Sequence, residues 1–103
     1  MSATDLAARI LTLAATLLHP HETSDSWIPG HQTPACMTDG LRDTVLRDAR
    51  ETVLLPVRRY ATVDETRTLV ASVLPPVTGT VTEYAALLRE TARALTAQEA
   101  PAC

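Results

Sequence analysis

The side chains able to do chemistry are few in this chain and crowded together. All three histidines, the single tryptophan and one of the two cysteines fall within HPHETSDSWIPGHQTPAC, residues 19–36. His19, His21, His31 and Cys36 offer three imidazoles and a thiol, a donor set that suits zinc. Glu22 and Asp25 stand ready as oxygen ligands or as hydrogen-bond partners of the imidazoles. Zinc is therefore the one candidate cofactor. The spacing argues against it. H-x-H, nine residues, H, four residues, C matches no zinc module, no C-x2-C pair locks a knuckle, and Pro20 stiffens the link between the first two donors.

The same stretch admits a second chemistry. A helix starting at Pro34 would hold Cys36 in its first turn, where the aligned amide dipoles favour a thiolate. His31 could then serve as its base, oriented by Asp25. The plainer reading is an irregular connection, where His, Pro, Gly and Trp collect because no regular element is required of them. On that reading Trp27 caps the end of the fold or anchors a partner. Elsewhere the chain holds no catalytic signature. Gly30, Gly40 and Gly79 are isolated, so no glycine loop cradles phosphate, and neither G-x-S-x-G nor H-E-x-x-H occurs. An enzyme is the less favoured reading.

The elements that would position these residues follow from the apolar pattern. A chain of 103 residues, 46% hydrophobic and 20% charged, is a single globular domain over residues 1–103. Its core must be aliphatic, since Phe is absent and aromatic residues make up only 3%. Lys and Asn are absent too, which suits a GC-rich, actinobacterial type of coding sequence.

Helix starts are marked by Ser or Thr three residues before an acid, the pattern of a capping box, in SATD (2–5), TVDE (62–65) and TVTE (80–83). The periodicity predicts a first helix over 3–18. Leu6, Ile10, Leu13 and Leu17 form one apolar stripe and Ala7, Leu11, Ala14 and Leu18 a second beside it. A second helix is predicted over 38–60, capped by Thr38 or Asp39. Its core face is Leu41, Val45, Ala49, Val53 and Val57, flanked by Leu46 and Tyr60. Pro56 should kink or break it near 52–55. A third helix over 63–74 ends at Pro75–Pro76, and a fourth covers 81–98. The β-branched run at 68–81 is the place where a short strand could intrude. The fold class is thus all-α, a small three- or four-helix bundle with one long irregular loop, residues 19–36.

Charge excludes some functions. The net charge is −3, and the arginines of 42–59 are interleaved with Asp39, Asp43, Asp48 and Glu51, the pattern of a solvated, ion-paired face. Neither nucleic acid nor a membrane surface is an expected partner. The alternative of a DNA-binding regulator would use residues 79–95 as a recognition helix, but its first turn offers Thr82 and Glu83 where basic or amide side chains are needed. The segment 6–18 is too short to span a bilayer, and its acidic lead MSATD is unlike a secretion signal, so a cytoplasmic setting with Cys36 and Cys103 as thiols is expected.

The first helix is apolar over most of its circumference, more than a small bundle readily covers. This favours a non-enzymatic interaction or oligomerisation module, the small accessory subunit of a larger complex or a homodimer. Its expected interface is Leu6, Ile10, Leu11, Leu17 and Leu18, with Trp27. The alternative is a metal-binding protein or metal-dependent enzyme built on His19, His21, His31 and Cys36.

Overall fold

Ser2 stops the chain from fraying at its first turn: its Oγ accepts from the Asp5 amide at 3.2 Å, and α1 runs Ala3–Leu17. In the computed structural model, which describes residues 2–25 and 32–99, three further helices follow: α2 (Asp39–Leu54), α3 (Tyr60–Val73) and α4 (Val81–Glu99). Thr38 caps α2 by accepting from the Leu41 amide at 3.1 Å. At α4 the capping box is complete, with the Thr80 amide donating to Glu83 Oε1 at 3.1 Å and the Glu83 amide to Thr80 Oγ1 at 3.2 Å. The fold is a small all-α bundle, and among the described residues no helix is long and apolar enough to cross a membrane.

Two expectations about helix ends need correction. TVDE does not start α3. The helix begins at Tyr60, with Arg59 in the cap position and no side-chain cap bond, and Thr62 lies inside it, its carbonyl accepting from Thr66 Oγ1 at 2.7 Å. The cause is Pro56, which breaks the second helix rather than bending it. The Val57 amide turns back to the Leu54 carbonyl at 3.0 Å, and a few residues later the chain is free to start a new helix.

The connection 19–36 is likewise not wholly irregular. Pro20 ends α1 in a 3-10 turn, His19–His21. Beyond it, β1 (Thr23–Asp25) pairs antiparallel with β2 (Gln32–Pro34) in the register Thr23↔Pro34, Ser24↔Thr33 and Asp25↔Gln32. Residues 35–37 then run against 79–81. Met37 donates to the Gly79 carbonyl at 3.0 Å, Val81 to that of Ala35 at 2.9 Å, and Cys36 bridges Thr80. The β-branched run therefore supplies one bridge residue and no strand. Gly79 makes the turn possible with φ +69, where a Cβ would press on the Glu83 carboxylate that caps α4.

α1 is the hub. It packs on α4 most extensively and on α2 and α3 as well, while those three helices touch one another little. Ala7, Ala14 and Ala15 are completely buried, and their small side chains let the neighbours come close. This corrects the interface expected on α1. Leu6, Ile10, Leu11 and Leu18 are buried within the single chain, and Leu17 is half-buried against the same core. Three helices share out the surface that two stripes of apolar residues create, so little is left for a partner. The cost is shape. The molecule measures 51 × 31 × 19 Å with a radius of gyration of 15.2 Å, against about 13 Å for a compact domain of this length.

Truncation at the hub and at the rim should therefore differ. Ile10→Ala is expected to lower unfolding free energy by about 2–5 kcal/mol, whereas Leu55→Ala, at an exposed position, should change it by less than about 0.5 kcal/mol. Urea unfolding followed by circular dichroism distinguishes the two.

Candidate functional site

The candidate ligands of residues 19–36 sit on different parts of the hairpin. His19 and His21 belong to the exposed 3-10 turn at its base, and His19 Nδ1 lies 3.3 Å from Glu22 Oε2, its own neighbour one turn on. Cys36 lies beyond the second strand, exposed and without a disulfide. His31 and Trp27 fall outside the described residues. Among the described residues, no group of three or more His, Cys, Asp or Glu could hold a metal ion. The thiolate reading loses its support as well, because α2 begins at Asp39, past Cys36, and Pro34 closes a strand instead of opening a helix. On α4, Glu83 is bonded to its own cap, so the first turn of the supposed recognition helix presents an acid already in use.

A polar cluster ties α2 to α4. Tyr84 is completely buried and donates its phenol hydrogen to the Pro75 carbonyl at 2.7 Å, holding the α3–α4 connection against the bundle. Burial pushes its pKa above the ordinary 10.0; the nearby Arg42 guanidinium opposes this, and Asp39 and Asp43 add weakly to it. Arg42 sits 3.7 Å from Asp39 and 3.6 Å from Asp43, with Nε buried and lacking a hydrogen-bond partner. The arrangement is structural, since the phenol faces a backbone carbonyl and not an open pocket.

The surface that stands out is the elbow between α2 and α3. Leu55 and Tyr60, the last residue before Pro56 and the first of α3, are 85% and 86% exposed. Leu54 points inward and Leu55, one residue on, is turned some 100° away on the helix and faces solvent. Tyr60 had a place flanking the core in the pattern of one continuous helix; the break at Pro56 rotates it out instead. Both line an open cleft of about 700 Å³, together with half-buried Val57 and Val63 and with Arg50 and Arg67 at its margin. A smaller hollow of about 280 Å³ adjoins it, lined by Arg47, Arg50, Glu51 and Arg67. Neither Arg47, Arg50 nor Arg67 has an ion pair among the described residues, although Asp43 and Glu51 stand at i, i+4 spacing from Arg47. The expected ion-paired face thus has only Arg42 engaged. A second open cleft, about 650 Å³, follows the polar stripe of α1 (Asp5, Arg9, Thr12, Thr16) between α2 and Thr96 of α4.

The elbow was hidden in the sequence because it is built by two helices. Arg67 lies twenty and seventeen residues from Arg47 and Arg50, and only the turn at Pro56 brings α3 back beside α2. The one local signal was the run Val53–Leu54–Leu55 before proline: the apolar stripe of a surface helix takes two adjacent residues, as Val53 and Leu54 show, but a third consecutive one turns out of it. Compared with protein-family models, with curated proteins and with solved structures, the chain matches none.

The buried phenol gives the fold a defined alkaline response. With its folded pKa raised above 10.0, Tyr84 keeps its proton in the native state at pH values where the unfolded chain has lost it. Its contribution is fully present below pH 10 and is lost as pH rises through the folded pKa. In a Tyr60→Phe background, tyrosinate absorbance should show Tyr84 titrating above 10.0. The fall in stability beginning near pH 10 should be smaller in Tyr84→Phe than in the parent.

Proposed function

We propose that this chain is a non-enzymatic helical docking module, a small accessory subunit that binds another protein chain through the α2–α3 elbow. The observation that carries the reading is the exposure of Leu55 and Tyr60, which line one cleft at a break between two helices. Single exposed apolar residues are ordinary, but a leucine and a tyrosine at the lip of one apolar cleft form a patch. Tyr and Arg are also the residue types that dominate binding energy at protein interfaces, and the elbow supplies Tyr60 with Arg50 and Arg67 around it. The positioning is rigid, because Val53 and Leu54 on one side and Val70 on the other are anchored in the core that surrounds α1.

The same reading sets the chain in the cytoplasm, where Cys36 stays a thiol. It replaces α1 by the elbow as the surface that meets a partner. The elongated shape agrees with it: a chain that spreads three helices around one hub leaves edges on which a larger complex can build.

Photo-cross-linking at single positions in cells of the source organism tests this. A benzoylphenylalanine at 55 or 60 should yield one discrete adduct of higher mass, and the same group at Glu90, exposed on α4, should not. No adduct at 55 and 60, or the same set of adducts at all three positions, would contradict docking through the elbow.

A further inference from the structure

The elbow has a chemical character as well as an apolar one, and the two together describe what covers it. Arg47 and Arg50 from α2 and Arg67 from α3 converge around one hollow, which shares Arg50, Glu51 and Arg67 with the apolar cleft holding Leu55 and Tyr60. The surface is therefore apolar at its centre and basic along one margin. Residues 47–67 carry a net charge of +1 while the rest of the chain carries −4, so the elbow is opposite in sign to the remainder of the molecule. Guanidinium groups without intramolecular partners are free to take carboxylates in two-pronged hydrogen bonds.

We propose that the elbow receives an acidic amphipathic segment of another protein, whose apolar side chains seat on Leu55 and Tyr60 and whose carboxylates face Arg47, Arg50 and Arg67. The inference rests on the docking reading above and adds the chemistry of the partner. A cleft between two helices that is apolar in the middle and charged at its edge is the form that takes an amphipathic segment by its apolar face. A second copy of this chain fits less well. A two-fold dimer would bring the arginine clusters of two elbows to one interface, and the rest of the chain, although net negative, offers no described apolar segment outside the core to seat on Leu55 and Tyr60. Nucleic acid fits less well too, because the apolar centre offers a sugar-phosphate backbone nothing, while an amphipathic segment can keep its carboxylates on the arginine margin, away from Glu51 and Asp64.

Selection of a random peptide display library on the full chain tests the proposal. Enriched peptides should carry net negative charge and at least two large apolar residues. A representative peptide should bind at least tenfold more weakly to Arg50→Glu/Arg67→Glu, and more weakly at 0.5 M than at 0.1 M salt. Replacing its acids by lysine should abolish binding to the parent and restore it on the Glu variant, a rescue that a folding defect cannot produce. Should the Glu variant lose its helical circular dichroism, Arg50→Gln/Arg67→Gln replaces it, with the same loss of acidic-peptide binding expected.

Enriched peptides without an acid excess, whose binding is nevertheless lost in Leu55→Ser/Tyr60→Ser, would overturn the acidic partner and leave the docking surface standing. Binding indifferent to Leu55 and Tyr60, or no enrichment at all, would overturn both. Sedimentation showing a dimer that Leu55→Ser/Tyr60→Ser dissolves would name a second copy as the occupant and overturn the proposal.

Discussion

The burial of α1 governs this molecule. Two adjoining apolar stripes on one helix of fifteen residues must both leave water, and the chain achieves this by placing α2, α3 and α4 around α1 instead of against each other. Ile10, Leu11, Ala14 and Leu18 end with no exposed surface. Every other feature follows from that arrangement. Helices that share a hub but hardly touch each other leave open seams between them, and the seam between α2 and α3 is where apolar side chains reach the surface.

Proline decides where that seam opens. Without Pro56 the pattern of residues 38–60 would continue as one helix, carrying Val57 and Tyr60 along the face that holds Val45, Ala49 and Val53. The break turns the chain so that Val57 stays half-buried, Tyr60 leaves the core and α3 returns along α1. The same turn brings Arg67 to Arg47 and Arg50. An apolar centre and a basic margin thus arise from a single interruption. The hydrophobic term drives contact there, and the arginines govern which partners approach and in what register.

Much of the fold was legible in the sequence. Ser2, Thr38 and Thr80 cap helices where the spacing of hydroxyl and apolar residues places them, and the helix boundaries fall within a few residues of the periodic runs, because caps and periodicity are local properties. What is not local was not legible. Periodicity reports that α1 is apolar on two faces but not which neighbours cover it, so a surplus needing a partner and a hub needing three helices look alike. The pairing of 35–37 with 79–81 joins segments more than forty residues apart and follows no pattern that either shows alone. The histidines attracted notice through their scarcity, yet His19 and His21 stand exposed on a turn. The arginines were read as neutralised along one helix, whereas their grouping depends on a second helix.

The central claim is that α1 is covered by its own chain. Residue-by-residue amide hydrogen exchange, measured at several protein concentrations, tests it most directly. The account predicts that the amides of Ile10 to Ala15 are among the slowest in the protein, opening only with global unfolding, at rates that do not change with concentration. Protection of α1 that grows as the protein is concentrated would mean that a second molecule completes its burial, and would contradict the hub.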